Sequence, residues 1–356
     1  MNDAGKKFVS WFADLSLADR PTVGGKSASL GELTRAGILV PPGFAVTTSA
    51  FEAFLSCMDP TGEVRREIGA LDPADTAEVA AVGERVRRRI RSASVPEDVA
   101  ALIRDGYRQL SGRGAACPVA VRSSATSEDS ESASFAGLQD TYLWTLGEEQ
   151  LVARVLDCWA SLYNSESITY RLRLGLPEDQ LAMAVVVQVM VDAECAGVMF
   201  TRSPTTGDKS VIVIEGSWGL GSCIVNGEVT PDRYVVNKVT GEVTNRKVSS
   251  KAVRHVPDRS GGGVQEQPVE DERCELPCLD DATIGRLWTI ARQVEKHYGC
   301  PQDIEWAVSA TDGEVYLLQS RPETVWSSKD REPRAKPAAK PYDHLIALMS
   351  ARKNQP

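Results

Sequence analysis

Asp303-Ile304-Glu305-Trp306-Ala307-Val308, then Thr311-Asp312-Gly313, then Leu318-Gln319-Ser320-Arg321-Pro322: this stretch reads as two strands joined by a tight turn. Strand period two puts Ile304, Trp306 and Val308 on one face, and Asp303 and Glu305 on the other. Gln319 and Arg321 likewise share a face of the return strand. A three-residue loop with Gly313 in the left-handed position pairs Ala310 with Glu314. That register sets Glu305 opposite Gln319 and Asp303 opposite Arg321. Two oxygen donors then lie side by side next to a guanidinium. Oxygens of this kind suit hard Mg2+, which keeps its remaining positions for phosphate and water. Arg321 could grip a phosphate with two parallel donors. The same spacing also fits a surface hairpin with a salt-bridged face.

Three other stretches could meet a phosphorylated ligand. Pro118 to Ser124 reads as a strand with Val119 and Val121 facing one way and Arg122 the other. It runs into a polar, small-residue stretch, Ala125 to Gly137, whose backbone N–H groups could lie over phosphates or simply form a flexible loop. Gly24-Gly25-Lys26-Ser27 is not a Walker A loop, because Arg20 stands where its first glycine belongs. Lys26 can still reach an anion from a helix N-terminus. Trp218-Gly219-Leu220-Gly221 starts like a dinucleotide fingerprint, but Ile224 replaces the third glycine, so a Rossmann reading fails.

Between these stretches the chain alternates helical and extended patterns. Leu30 and Leu33 share a helix face that stops at Gly37. Phe44 to Val46 is a short strand, and Thr47 or Thr48 could cap the helix carrying Phe51, Phe54 and Leu55. Residues 60 to 115 are charged and helical. The basic run Arg85 to Arg91 reads as a solvated helix face, since Glu84 and acidic flanks offset it and no aromatics are interleaved. A helix follows around Leu151 to Tyr163. Ala184 to Met190 is an apolar run suited to a buried strand. Strands at Gly197 to Phe200 and Val211 to Glu215 precede a hairpin around Thr240-Gly241. Pro257 to Pro268 is Gly-rich and reads as loop. Ile284, Leu287, Trp288, Ala291 and Val294 mark an amphipathic helix. Ser327 to Pro341 reads as a Lys/Pro-rich linker, with a short helical segment at Tyr342 to Ala351.

The bulk properties narrow the class. The chain has 356 residues, enough for two packed lobes, with 42% hydrophobic and 25% charged residues. A net charge of −9 argues against nucleic acid or an anionic membrane as the main partner. It leaves room for ATP, whose site needs only a few local cations. No apolar run reaches the roughly 20 residues of a membrane span, and Met1 to Ser10 has no signal-peptide core. The eight cysteines form no C-x-x-C pair, which disfavours zinc and fits scattered thiols in a reducing cytoplasm.

Taken in order, five motifs resemble one family. They are Val23 to Leu33 with Val40 to Thr47, Val121 to Asp129 with Ala133 to Gly137, Ser217 to Gly221, Asp303 to Trp306, and Leu318 to Pro322. Their sequence and spacing are similar to the nucleotide-binding region shared by phosphoenolpyruvate synthase, pyruvate phosphate dikinase and rifampin phosphotransferase. The resemblance covers residues 8 to 325. It implies an α/β (α+β), two-lobed ATP-grasp fold with mixed and antiparallel sheets. The lobes would span residues 1–190 and 191–326, followed by the tail at 327–356. It implies that Lys26, Arg122 and Arg321 contact phosphates, with catalytic roles, and that Glu305 and Gln319 hold Mg2+. The loop carrying Ser132, Ser134 and Gly137 would cover the phosphates of ATP, and Gln188 and Met190 would lie near the adenine. The family usually has an acidic residue where this chain has Ser222.

Full-length relatives also carry a Gly-Gly…His phosphocarrier motif. The three histidines here, His255, His297 and His344, do not follow a Gly-Gly pair at that spacing. His297 reads as a partly exposed helix-end residue. The resemblance therefore implies the ATP-binding subunit of a split, cytoplasmic dikinase. Its partner would be a separate subunit bearing the carrier histidine and the acceptor-substrate domain. A free-standing unit of this length resembles that of phenylphosphate synthase, which phosphorylates phenol. The alternatives are part of a phosphoenolpyruvate synthase-like or rifampin phosphotransferase-like system, or a non-catalytic nucleotide-binding regulatory module.

Overall fold

The structure is a computed structural model, and it describes residues 7–112, 114, 116–125, 129–130, 133–134 and 140–327. Strand β1 (Val9–Trp11) leads into helix α1 (Arg20–Arg35) and then β2 (Gly43–Val46). Four helices follow, α2 (Thr48–Met58), α3 (Glu63–Gly69), α4 (Thr76–Ser92) and α5 (Glu97–Ser111). Next come β3 (Val119–Ala125), the two-residue ladder β4 (Asp129–Ser130) and β5 (Ala133–Ser134), and β6 (Thr141–Thr145). Helices α6 (Glu148–Ser161) and α7 (Ser165–Leu174) precede β7 (Met183–Val189), β8 (Ala193–Phe200) and β9 (Val211–Trp218). The remainder is α8 (Ser222–Val225), β10 (Asp232–Asn237), β11 (Val243–Lys247), β12 (Val253–Pro257), β13 (Val264–Pro268), α9 (Asp271–Cys274), α10 (Asp281–Tyr298), β14 (Gln302–Ser309) and β15 (Val315–Pro322).

Two main sheets form, in the orders β1-β2-β7-β3-β6 and β11-β10-β9-β8-β14-β15, and their strand pairs are antiparallel. This is the α/β class that the sequence implies. Alternation along β3 and β7 sends Val119, Val121, Val185 and Val187 into one core, roofed by α2, α4, α5 and α6. Trp159 is fully buried there, its ring 4.9 Å from that of Phe54. Ile304 and Trp306 of β14 enter a second core with Met199, Ile214 and Tyr234, covered by Ile284, Leu287 and Val294 of α10. Burying each such side chain stabilises by about 1.5–3 kcal/mol. Helix α1 serves both sides: Leu30 packs with Val23, Ala45 and Val186, whereas Leu33 joins Met199 and Trp306.

The basic run on α4 is a solvated, ion-paired face. Arg85 pairs with Glu67, Arg87 with Glu84, and Arg91 with Asp157 at 3.0 Å. Three readings need correction. The Gly-rich Pro257–Pro268 stretch is not all loop, because Val264–Pro268 is β13, paired with β12 across a tip at Gly261–Gly263. Helix α7 has no counterpart in the sequence reading. Its inward face is fixed by Arg171, which is buried and bonds Glu178 at 2.9 Å and the Leu162 carbonyl at 2.6 Å, a polar burial no hydropathy pattern shows. In the last hairpin Ser309, not Ala310, pairs with Glu314, and a bulge after Glu305 takes up the difference. Ser132, Gly137 and the Tyr342–Ala351 segment lie outside the described residues, as does the side chain of Ser134.

Candidate functional site

The bulge matters because it restores the register where charge gathers. Glu305 stands opposite Gln319, and Asp303 opposite Arg321. With Ile304 and Trp306 committed to the core, Asp303, Glu305 and Ala307 must face the other way, into a cleft of about 920 Å3 between the sheets. Ala196, Val198 and Phe200 of β8 alternate onto that same wall. The facing wall comes from the first sheet. Ala120 and Arg122 of β3 and Gln188 of β7 point in, because the intervening Val121 and Val187 point to the core.

Lys26, Arg122, Gln188, Met190, Glu305, Gln319 and Arg321 all line this one cleft. Lys26 is positioned by a kink: Gly24 has φ 73° and ψ 169°, outside helical geometry. A Cβ there would lie 2.3 Å from the Ser124 carbonyl oxygen, so only glycine lets α1 start against β3. The Lys26 backbone N–H then meets Ser124 Oγ at 3.2 Å, and its ammonium donates to the Ser123 carbonyl at 3.0 Å. Arg122 reaches across the cleft to Glu305 at 3.4 Å, and Arg321 lies 3.4 Å from Asp303. Burial pushes the Asp303 carboxyl above the usual carboxylate range, with Arg321 pulling it partly back.

The cleft is graded. One end carries Lys26, Arg122, Asp303, Glu305, Gln319 and Arg321. The other is apolar, built from Val191, Ala196 and Ala307 with Leu318 beside them. Among the described residues, Arg122 Nε and Gln188 Nε2 are buried with no hydrogen-bond partner. Such donors normally find one, and these two border the cleft, where a bound group could supply it. The carboxylate of Glu305 and the amide oxygen of Gln319 are hard donors that could hold a divalent cation such as Mg2+. The tip of the β12–β13 hairpin closes one side: the Gly263 N–H donates to the Trp144 carbonyl at 2.9 Å. Trp144 has φ 56°, which among the described residues makes it the one non-glycine with positive φ.

One feature escaped the sequence reading. His255 lines the cleft, hydrogen-bonded to Ser222 at 2.7 Å and to Glu228 at 2.7 Å. It sits on β12, in a stretch the sequence reading left unassigned, so no local pattern marks it. His297, by contrast, lies partly exposed in the last turn of α10, as read, and the structure adds a 2.7 Å contact with Glu32.

Residues 20–341 match the model of the pyruvate phosphate dikinase AMP/ATP-binding domain. The chain belongs to this family. Its pyruvate phosphate dikinase-type domain is 39% identical to a probable phosphoenolpyruvate synthase of Staphylothermus marinus, over 98% of this chain and 45% of the relative. A probable phosphoenolpyruvate synthase of Methanothermobacter thermautotrophicus is 43% identical over 93% of this chain and 48% of its own length. The phosphoenolpyruvate synthase of Pyrococcus furiosus is 38% identical over 90% and 44%. The chain spans about half the length of these curated relatives. Among the described residues of this domain, no helix is long and apolar enough to cross a membrane.

Proposed function

We propose that the chain binds Mg–ATP in the cleft, in the manner of an ATP-grasp clamp, and donates a phosphoryl group to a carrier histidine that is not one of its own three. The observation that carries this is the grading of the cleft. An apolar end of small side chains accepts a flat base, and cations with paired oxygen donors at the other end accept a polyphosphate with its metal. Lys26, Arg122 and Arg321 hold phosphate oxygens, and Gln188 and Met190 lie against the adenine. Glu305 and Gln319 hold Mg2+, which when bound neutralises phosphate charge. Catalysis here is mostly positioning and charge stabilisation.

The acceptor is the carrier histidine of a dikinase, on a partner subunit or on a longer form of the same polypeptide. ATP, water and the histidine give AMP, phosphate and phosphohistidine. Of the identities open to the sequence, the relatives' names favour a phosphoenolpyruvate synthase-like system over phenylphosphate synthase. The experiment has two arms. Calorimetry with and without Mg2+ should show metal-dependent ATP binding, and none at millimolar ATP would sink the nucleotide reading. ATP radiolabelled at the β-phosphate should label a histidine only when a protein bearing the carrier motif is added. Label on His255 or His297 of this chain alone would overturn the divided reaction.

A further inference from the structure

Trp218-Gly219-Leu220-Gly221, unusable as a dinucleotide fingerprint, has a different task in the fold. It ends β9 and turns into α8 against β12. A Cβ on Gly219 would lie 2.4 Å from the His255 carbonyl oxygen, and Gly219 has φ 73°, so glycine alone lets the two segments touch. The Leu220 N–H donates to that same carbonyl at 2.9 Å. The motif thus clamps His255 beside the next residue, Ser222, which lines the cleft.

The level of Ser222 along the cleft follows from register. A Cβ on Gly221 would lie 3.5 Å from Ala196 Cβ and 3.7 Å from Gly197 N. Glu305 pairs with Val198, and Asp303 with Phe200. At about 3.3 Å per strand residue, Ser222 lies roughly 3–7 Å behind the metal-suited pair, toward the apolar end. A nucleotide laid along the grading has its sugar at that level.

The chemistry at that level suits a hydroxyl. Ser222 Oγ is 2.7 Å from His255 Nδ1, and His255 Nε2 is 2.7 Å from Glu228 Oε2. Glu266 stands opposite His255 on β13, and its carboxylate belongs to the same group of atoms within 4.8 Å of one another. A carboxylate only accepts, so the 2.7 Å contact with Glu228 places a hydrogen on His255 Nε2. In the neutral ring Nδ1 then accepts the Ser222 O–H, and the lone pairs of Oγ remain to accept from a ligand. Each hydrogen bond polarises the next, so the Glu228 charge makes Oγ a stronger acceptor than an isolated serine.

We infer that Ser222, His255 and Glu228 form a relay that binds a sugar hydroxyl of the nucleotide and makes the site selective for ribonucleotides. Ser222 touches the ligand; His255 and Glu228 are positioning residues acting through it. The inference rests on the nucleotide reading above. The test is calorimetry on the full chain with Mg2+ and ATP, 2′-deoxy-ATP or 3′-deoxy-ATP. The wild type should bind one deoxy analogue about tenfold more weakly than ATP, because the relay then buries an unpaired acceptor. Ser222→Ala and His255→Ala should bind ATP and that analogue alike. Glu228→Gln should show an intermediate preference, and Ser222→Thr should restore it. A wild type that binds ATP and both analogues equally overturns the relay alone, as does a Ser222→Ala variant that still discriminates. A wild type that binds no ATP overturns the nucleotide reading with it.

Discussion

Arg122 Nη1 lies 3.4 Å from Glu305 Oε2, joining two residues 183 positions apart that belong to different sheets. Arg122 is largely buried while over a third of the Glu305 side chain is exposed, so the pair bridges the cleft near its mouth. Phosphate and a cation would each offer one member of the pair a stronger partner of opposite charge.

Glu305→Gln keeps the shape and removes the charge. Losing a charge-assisted contact costs roughly 1.5–3 kcal/mol, so Mg-dependent ATP affinity should fall about 10- to 100-fold. Adenosine affinity should stay as it was. Fold stability should change by less than about 1 kcal/mol, because the pair is partly solvated. Calorimetry with both ligands and a thermal melt check the three numbers together, and equal losses for ATP and adenosine would remove Glu305 from the metal's neighbourhood.

Gly24→Ala tests the kink that aims Lys26. The new Cβ would sit 2.2 Å from Ser124 Oγ and 2.3 Å from the Ser124 carbonyl oxygen, at a φ of 73°. Strain of this kind costs on the order of 1–3 kcal/mol. A lowered melting temperature together with weaker ATP binding is the expected outcome. Gly37→Ala has the same φ sign but open space around it, and should destabilise without touching ATP affinity.

Asp303 carries a pH signature. Burial raises its folded-state pKa above the unfolded one, despite Arg321. The native protein therefore holds that proton more tightly. The stabilisation is complete below the ordinary aspartate pKa and lost as pH rises through the folded value. Asp303→Asn should melt at a higher temperature than wild type near neutral pH, and the gap should shrink as pH falls toward the ordinary aspartate range. Melts across pH check this, and a gap that widens in acid would contradict it. The same variant should bind ATP less well, since Arg321 loses its anchor at 3.4 Å.

Asp232 is a structural test far from the cleft's charges. Its fully buried carboxylate accepts from Lys251 at 2.6 Å, the Cys278 N–H at 2.8 Å, the Ser249 N–H at 2.9 Å and Tyr234 Oη at 3.3 Å. Asp232→Ala would strand the Lys251 ammonium, itself fully buried, at a cost of about 3–5 kcal/mol. Denaturant unfolding should show that loss, and Asp232→Ala with Lys251→Met should recover part of it.

Period-two alternation was enough to place Asp303, Glu305, Gln319 and Arg321 together, because register in a hairpin is local. It succeeded through a compensation: the turn pairs one residue earlier than read, and the bulge after Glu305 shifts the register back. Gln188 was legible as part of an apolar run, since Val185 and Val187 declare a buried strand. Arg171 was not, because its burial depends on Glu178 and the Leu162 carbonyl, which folding alone brings to it. His255 was equally silent. Its partners Ser222 and Glu228 arrive through the Gly219 contact, a long-range approach that local sequence does not record.

Helix α1 has a consequence for how the protein comes apart. Leu30 is embedded on one side of the molecule and Leu33, a single turn away, on the other, while the Leu317 N–H donates to the Leu39 carbonyl just beyond. A cleavage between Val189 and Ala193 would separate the sheets in sequence without yielding two self-sufficient fragments. The upstream piece would expose Leu33 and Ile38 to water, and the downstream piece would lack the side chains that fill the space beside Met199 and Trp306. A single melting transition is the expected outcome, because one helix is common property of both halves.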